Sequence, residues 1–177
     1  TVTRAEFLKM AMDSLGIVGH AYRDGECLDA TNDDWYCYYL QGALDKDIIP
    51  EEMIEDCDFT NVTKTLKEST EKEKAVRANV NVYTGKFYGD KPITREEMAV
   101  IATRCKNYKM RNWRDWDNER RIPVFSFKDS DEIDEKYISY VVHAYNLKYI
   151  DGMEDGRFAP KENLTRAQAA VVMNNLK

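Results

Sequence analysis

Val2-Thr3-Arg4-Ala5-Glu6, Ile93-Thr94-Arg95-Glu96-Glu97 and Leu164-Thr165-Arg166-Ala167-Gln168 are three variants of one segment, and each opens an apolar run with helical spacing. An internal repeat constrains the fold more than any single residue, because each copy must bury its apolar face against another. In every copy Thr stands where an N-cap belongs, with Glu or Gln three positions later. This is a capping box, in which two otherwise orphaned backbone donors are satisfied reciprocally. The aliphatic residue before each Thr (Val2, Ile93, Leu164) is spaced to reach Phe7, Met98 or Ala169 as a hydrophobic staple. The pattern predicts three N-capped helices.

Capping accounts for every recurring position except the Arg. A cation in the first turn faces the positive end of the helix macrodipole, at a cost of about 0.3–1 kcal/mol. Two readings of Arg4, Arg95 and Arg166 stand side by side. In one, each guanidinium lies beside free N–H groups at a helix start and forms an anion site for carboxylate or phosphate. In the other, each pairs with an acidic residue of a neighbouring repeat at a structural interface.

The repeat extends well beyond the box. Gly156-Arg157-Phe158 precedes Leu164 at the same spacing as Gly85-Lys86-Phe87 precedes Ile93. Upstream, Leu40 to Ile49 corresponds to Val141 to Ile150, each an apolar helical run ending in a bulky pair, and Cys27-Leu28-Asp29 corresponds to Phe127-Lys128-Asp129. One unit therefore reads as an opening turn with Asp, a first helix, a Gly-containing loop and a capped second helix. The second unit carries an insertion at about residues 50–83, with a charged helical run near Lys64 to Ala78 and an alternating Asn79-Val80-Asn81-Val82-Tyr83 that suggests a short strand. The units divide as 1–25 (second half of the first repeat), 26–110 (second repeat with its insertion) and 111–177 (linker and third repeat).

This arrangement resembles the S-layer homology family. The third unit carries most of the pattern: Phe127-Lys128-Asp129, Ile150-Asp151-Gly152, Asp155-Gly156-Arg157-Phe158-Ala159-Pro160 and Leu164-Thr165-Arg166-Ala167-Gln168. The second unit lacks the Asp-Gly pair and has Tyr88-Gly89 where Ala159-Pro160 stands. In both, the family's usual Gly before the bulky pair is replaced, by Asp47 and Lys148. The resemblance implies a mainly α fold of tandem helical hairpins packed around a pseudo-threefold axis. It also implies non-covalent anchoring to a bacterial cell surface through an anionic, pyruvylated secondary cell-wall polysaccharide held in grooves between repeats, with peptidoglycan as the ligand of some related modules. On this reading the ligand-binding residues are Arg4, Arg95 and Arg166, joined by Lys86, Asp129, Tyr149, Gly156 and Arg157. Arg166, in the unit with the fullest pattern, leads among the three arginines. The segment would be part of a longer secreted polypeptide.

Composition agrees with a folded binding module. Of the 177 residues, 43% are hydrophobic and 33% charged, as in a globular domain. A net charge of −6 argues against nucleic acid, whose phosphates require a basic surface. No apolar run approaches the ~20 residues of a membrane helix, so membrane insertion is not expected. Lys106 to Arg121 interleaves Lys109, Arg111, Arg114, Arg120 and Arg121 with Tyr108, Trp113 and Trp116, either a helix continuation stapling two repeats or a sugar-stacking surface.

Catalytic and metal signals are sparse. The two histidines, His20 and His143, belong to no metalloprotease motif, and neither a nucleophile elbow nor a phosphate loop is present. Cys27, Cys37, Cys57 and Cys105 lack zinc-site spacing, and Cys105 lies on an apolar stripe. The rivals are a calcium-binding or protein-interaction module using Asp129, Asp131 and Asp134 or Asp151, Glu154 and Asp155, and a glycan-processing enzyme with paired carboxylates. The expectation is a non-enzymatic module without cofactor or metal.

Overall fold

The computed structural model describes residues 1–23, 27, 29–56, 85–110 and 127–177. The helical run and strand expected within the insertion, Cys57, and the aromatic and cationic residues from Arg111 to Arg121 lie outside the described residues.

Among the described residues there are five α-helices: α1 (Arg4–Ser14), α2 (Cys37–Asp45), α3 (Arg95–Met110), α4 (Ile138–Asn146) and α5 (Arg166–Leu176). Short 3-10 turns occupy Glu51–Met53, Ser130–Glu132 and Glu135–Tyr137. Among the described residues β-structure is limited to the isolated bridges Thr3↔Pro92, Glu55↔Lys86 and Thr94↔Asn163. The chain is thus mainly α, as its periodicity predicts.

All three capping boxes form. The amides of Thr3, Thr94 and Thr165 donate to Glu6 (2.9 Å), Glu97 (3.0 Å) and Gln168 (2.9 Å), whose own amides return bonds to the Thr hydroxyl oxygens. Three helices also end alike. After α1, Gly16 adopts φ +62° while the Ile17 amide reaches back to the Met12 carbonyl and the Gly16 amide to Asp13, a Schellman closure. Asp47 (φ +53°) and Lys148 (φ +60°) fill the same left-handed position after α2 and α4, where glycine would be unstrained.

The aliphatic residues before the boxes meet at the centre. The Val2 amide donates to the Leu164 carbonyl (3.0 Å), Leu164 to Ile93 (2.9 Å) and Ile93 to Val2 (3.0 Å), closing a ring of three hydrogen bonds. All three side chains are buried in one core with Phe7, Met98 and Ala169, the staple partners expected from sequence. The capped helices α1, α3 and α5 pack on one another around this ring.

The hairpin expectation needs one adjustment. Each first helix packs on the capped helix of the preceding unit: α2 lies on α1, and α4 lies on α3. The loop after α4 is spent on the interface with α3, where it accepts from Arg95, rather than on closing a hairpin.

Candidate functional site

Each loop is organised by the Asp of its own opening turn. The Asp129 carboxylate, 5% exposed, accepts from the amides of Phe158 and Ala159, both at 2.7 Å. Asp29 does the same for Phe87 and Tyr88, at 2.8 and 2.6 Å. Two successive amides can converge on one carboxylate because Tyr88 (φ +53°) and Ala159 (φ +57°) are left-handed. Asp129 is therefore a loop clamp, its acceptor capacity directed at backbone. The loop is also tight: a side chain at Gly152 would meet Phe127 at 2.5 Å, and Gly156 sits at φ +87°.

The clamped loops receive arginines from the preceding unit. Phe87 and Phe158, both fully buried, offer their carbonyls to Arg4 Nη1 (2.8 Å) and Arg95 Nε (2.7 Å), and Arg95 Nη2 also donates to the Asp151 carbonyl at 2.8 Å. The same loops occupy the helix N–H groups. Arg4 and Ala5 donate to Lys91 and Gly89, and Arg95 and Glu96 to Glu162 and Pro160, at 2.9–3.1 Å. The free helix-start amides expected beside Arg4 and Arg95 are thus taken by carbonyls, and only the side chains remain for an anion.

The two buried arginines differ in charge balance. Arg4, 1% exposed, is bound by Glu97 through Nη2 (2.5 Å) and Nε (3.3 Å) and by Glu55 through Nη2 (2.5 Å). Burial alone would lower its pKa, yet Glu97 and Glu55 outweigh that and hold it above its ordinary value. This is the interface ion pair that the sequence left open as the second reading of the repeated Arg. Arg95, 5% exposed, has no carboxylate within salt-bridge distance among the described residues. Burial lowers its pKa, with only the more distant fields of Glu162, Asp129 and Asp151 opposing. Its guanidinium stacks on the Phe158 ring at 5.1 Å.

Arg95 also lines a cavity of about 150 Å³ between α3, α5 and the loop after α4, together with Tyr149, Asp151, Gly152, Met153, Gln168 and Asn175. The volume suits an acidic substituent rather than a drug-sized ligand, which needs about 300–1,000 Å³. Of the residues expected from sequence, Arg95 and Tyr149 share this cavity, Asp129 clamps the loop beneath it, and Gly156 shapes that loop. Arg157 lies on the same loop but is engaged with Asp155 (2.8 Å) and Glu162 (3.3 Å) at the surface. Lys86 is remote, in an exposed cluster with Asp56 and Tyr88. Arg166 is exposed and makes no hydrogen bond or ion pair among the described residues. The well-preserved third-unit loop serves Arg95, because each loop accepts the arginine of the unit before it.

Gln168, Asp151, Gly152 and Met153 belong to the cavity without having been expected as site residues, although the first three stood in quoted motifs. Asn175 gave no sequence signal beyond its place two turns after Gln168. The acidic clusters weighed for calcium are dispersed: Asp155 pairs with Arg157 and Asp134 with Lys161 at 2.6 Å, and among the described residues no three His, Cys, Asp or Glu side chains converge to hold a metal. No described helix is long and apolar enough to cross a membrane. Among the described residues Cys37 and Cys105 are free thiols, and burial raises the pKa of Cys105.

Residues 80–99 and 126–170 match the S-layer homology domain. Over 99% of its length it is 32% identical to the exoglucanase XynX of Acetivibrio thermocellus, of which it covers 13%. It is 31% identical, again over 99% of its length, to an amylopullulanase of Thermoanaerobacterium thermosulfurigenes, of which it covers 8%. It is 34% identical over 64% of its length to an endoglucanase of Bacillus sp. (strain KSM-635), of which it covers 12%. The chain thus spans a small fraction of each of these relatives.

Proposed function

We propose that this chain is a non-covalent cell-surface anchoring module, with its repeats arranged about a pseudo-threefold axis, and that it holds an anionic secondary cell-wall polysaccharide in the groove around Arg95. The central ring of hydrogen bonds between Val2, Leu164 and Ile93 supports the symmetric arrangement. Alignment with three proteins named as different enzymes supports attachment over catalysis, since one segment common to an exoglucanase, an amylopullulanase and an endoglucanase fits none of the three reactions in particular. Cell-surface location and membership of a longer secreted polypeptide follow from the same reading.

The observation that carries the ligand assignment is the guanidinium of Arg95 at the wall of a cavity, with no carboxylate within salt-bridge distance among the described residues. A buried cation without an anionic partner is costly, and a carboxylate arriving from outside would supply the missing charge in bidentate geometry. Tyr149, 6% exposed, lines the same cavity.

Co-sedimentation with purified cell walls tests the reading. Wild type should bind intact walls and lose binding once the polysaccharide is chemically removed, and Arg95→Lys should bind weakly while retaining a cooperative melt, because an ammonium cannot reproduce the fork. Full binding to stripped peptidoglycan would overturn the polysaccharide as ligand, and undiminished binding by Arg95→Lys would remove Arg95 from the site.

A further inference from the structure

Glu97 and Gln168 occupy the same position in successive repeats, and both use one terminal oxygen to accept from the N-cap amide, Thr94 at 3.0 Å and Thr165 at 2.9 Å. Their other terminal atoms differ in kind. Glu97 Oε1 accepts from Arg4 Nη2 at 2.5 Å, whereas Gln168 presents Nε2, a donor with no partner among the described residues, at the cavity that Arg95 lines. The Thr165 amide and hydroxyl both point at Gln168 Oε1, which fixes the amide with its nitrogen outward.

A second substitution runs in the same direction. Glu55 exchanges backbone bonds with Lys86, and the corresponding bond in the third unit runs from the Met153 amide to the Arg157 carbonyl at 2.7 Å, so Met153 stands where Glu55 stands. Both carboxylates that neutralise Arg4 are therefore replaced by uncharged side chains around Arg95. The first groove pairs its cation directly with carboxylates, whereas Glu162, Asp129 and Asp151 act on Arg95 only from beyond salt-bridge distance.

We propose that Gln168, with Met153, is the specificity-determining element of this module: the Glu-to-Gln and Glu-to-Met exchanges leave Arg95 open to an external carboxylate, while Glu97 and Glu55 seal the Arg4 groove. This rests on the proposed anchoring function. Two donors, the Arg95 guanidinium and the Gln168 amide, then face the ligand, an arrangement that suits an acid-bearing sugar and rejects its neutral ester.

The test uses titration calorimetry with a 4,6-O-pyruvylated methyl hexoside and, separately, its methyl ester. Wild type should prefer the acid by about tenfold or more, and Gln168→Glu should lose about tenfold in acid affinity, so that its preference for the acid over the ester collapses. Ligand-free Gln168→Glu should also melt above wild type at pH 7 and lose that gain as pH falls through the carboxylate range, since the new carboxylate would pair with Arg95. Gln168→Met, which removes the donor without adding charge, should weaken the acid less than Gln168→Glu. Retention of wild-type acid affinity by Gln168→Glu, with the acid still preferred over the ester, would overturn this inference alone. Equal binding of acid and ester by wild type would overturn the proposed function with it.

Discussion

At the scale of residues, the same chemical group has different energetic meaning in different copies. Arg4 lies between Glu97 and Glu55 in the core, so Arg4→Met leaves buried carboxylate unpaired and should cost about 3–5 kcal/mol, whereas Arg166→Met on the exposed start of α5 should fall within about 0.5 kcal/mol of wild type. Urea denaturation of the two variants measures the contrast, and equal losses would contradict the burial difference. Lys148 makes a complementary case. It holds φ +60° at the end of α4, a conformation costing a non-glycine residue about 1–2 kcal/mol, part of which glycine forfeits through its freer unfolded chain. Lys148→Gly should therefore stabilise by about 0.5–1 kcal/mol, read as a raised urea midpoint at unchanged slope. The caps are similarly local: Thr94→Ala and Thr165→Ala should each lose about 0.5–2 kcal/mol.

At the scale of elements, the loop clamped by Asp129 is the part on which the groove depends. Asp129→Asn turns one acceptor into a donor facing a backbone N–H, so the Phe158 or Ala159 amide should lose hydrogen-exchange protection and wall binding should fall with it. Unchanged protection at both amides would show that the clamp is dispensable. What could be read in advance follows the range of the forces involved. Capping boxes and staples are set by neighbours a few positions away, and both were legible. The loop partner of each arginine was not. Arg95 meets Phe158 and Asp151 across an interface between units, and nothing near Arg95 in sequence distinguishes its environment from that of Arg4. The pairing of α2 with α1 and of α4 with α3 escaped for the same reason: hydrophobic period fixes which face is buried, not which helix buries it.

At the scale of the whole molecule, ties between units replace self-contained repeats. Asp45, the last residue of α2, holds the segment following α1 through Arg23 (2.6 Å) and His20, and also accepts from Gln41 of its own helix (3.0 Å). Burial raises its pKa, but these hydrogen bonds outweigh that and keep it below the ordinary value of 3.8. A depressed carboxylate contributes stability that is present above its unfolded pKa and lost as pH falls through the folded one. Asp45→Asn should thus be less stable than wild type at neutral pH, with the gap closing below about pH 3.8. A gap that persisted there would assign the effect to geometry rather than charge. Removing residues 126–177 should abolish the cooperative melt, because it deletes Leu164 from the central ring. That ring also sets the order of events in folding. Val2 finds its acceptor on Leu164, far away along the sequence, so α1 waits for the start of α5 before the centre can close. High contact order of this kind slows the search, and refolding after a denaturant jump should show amides at Val2, Ile93 and Leu164 gaining protection together, in one late step.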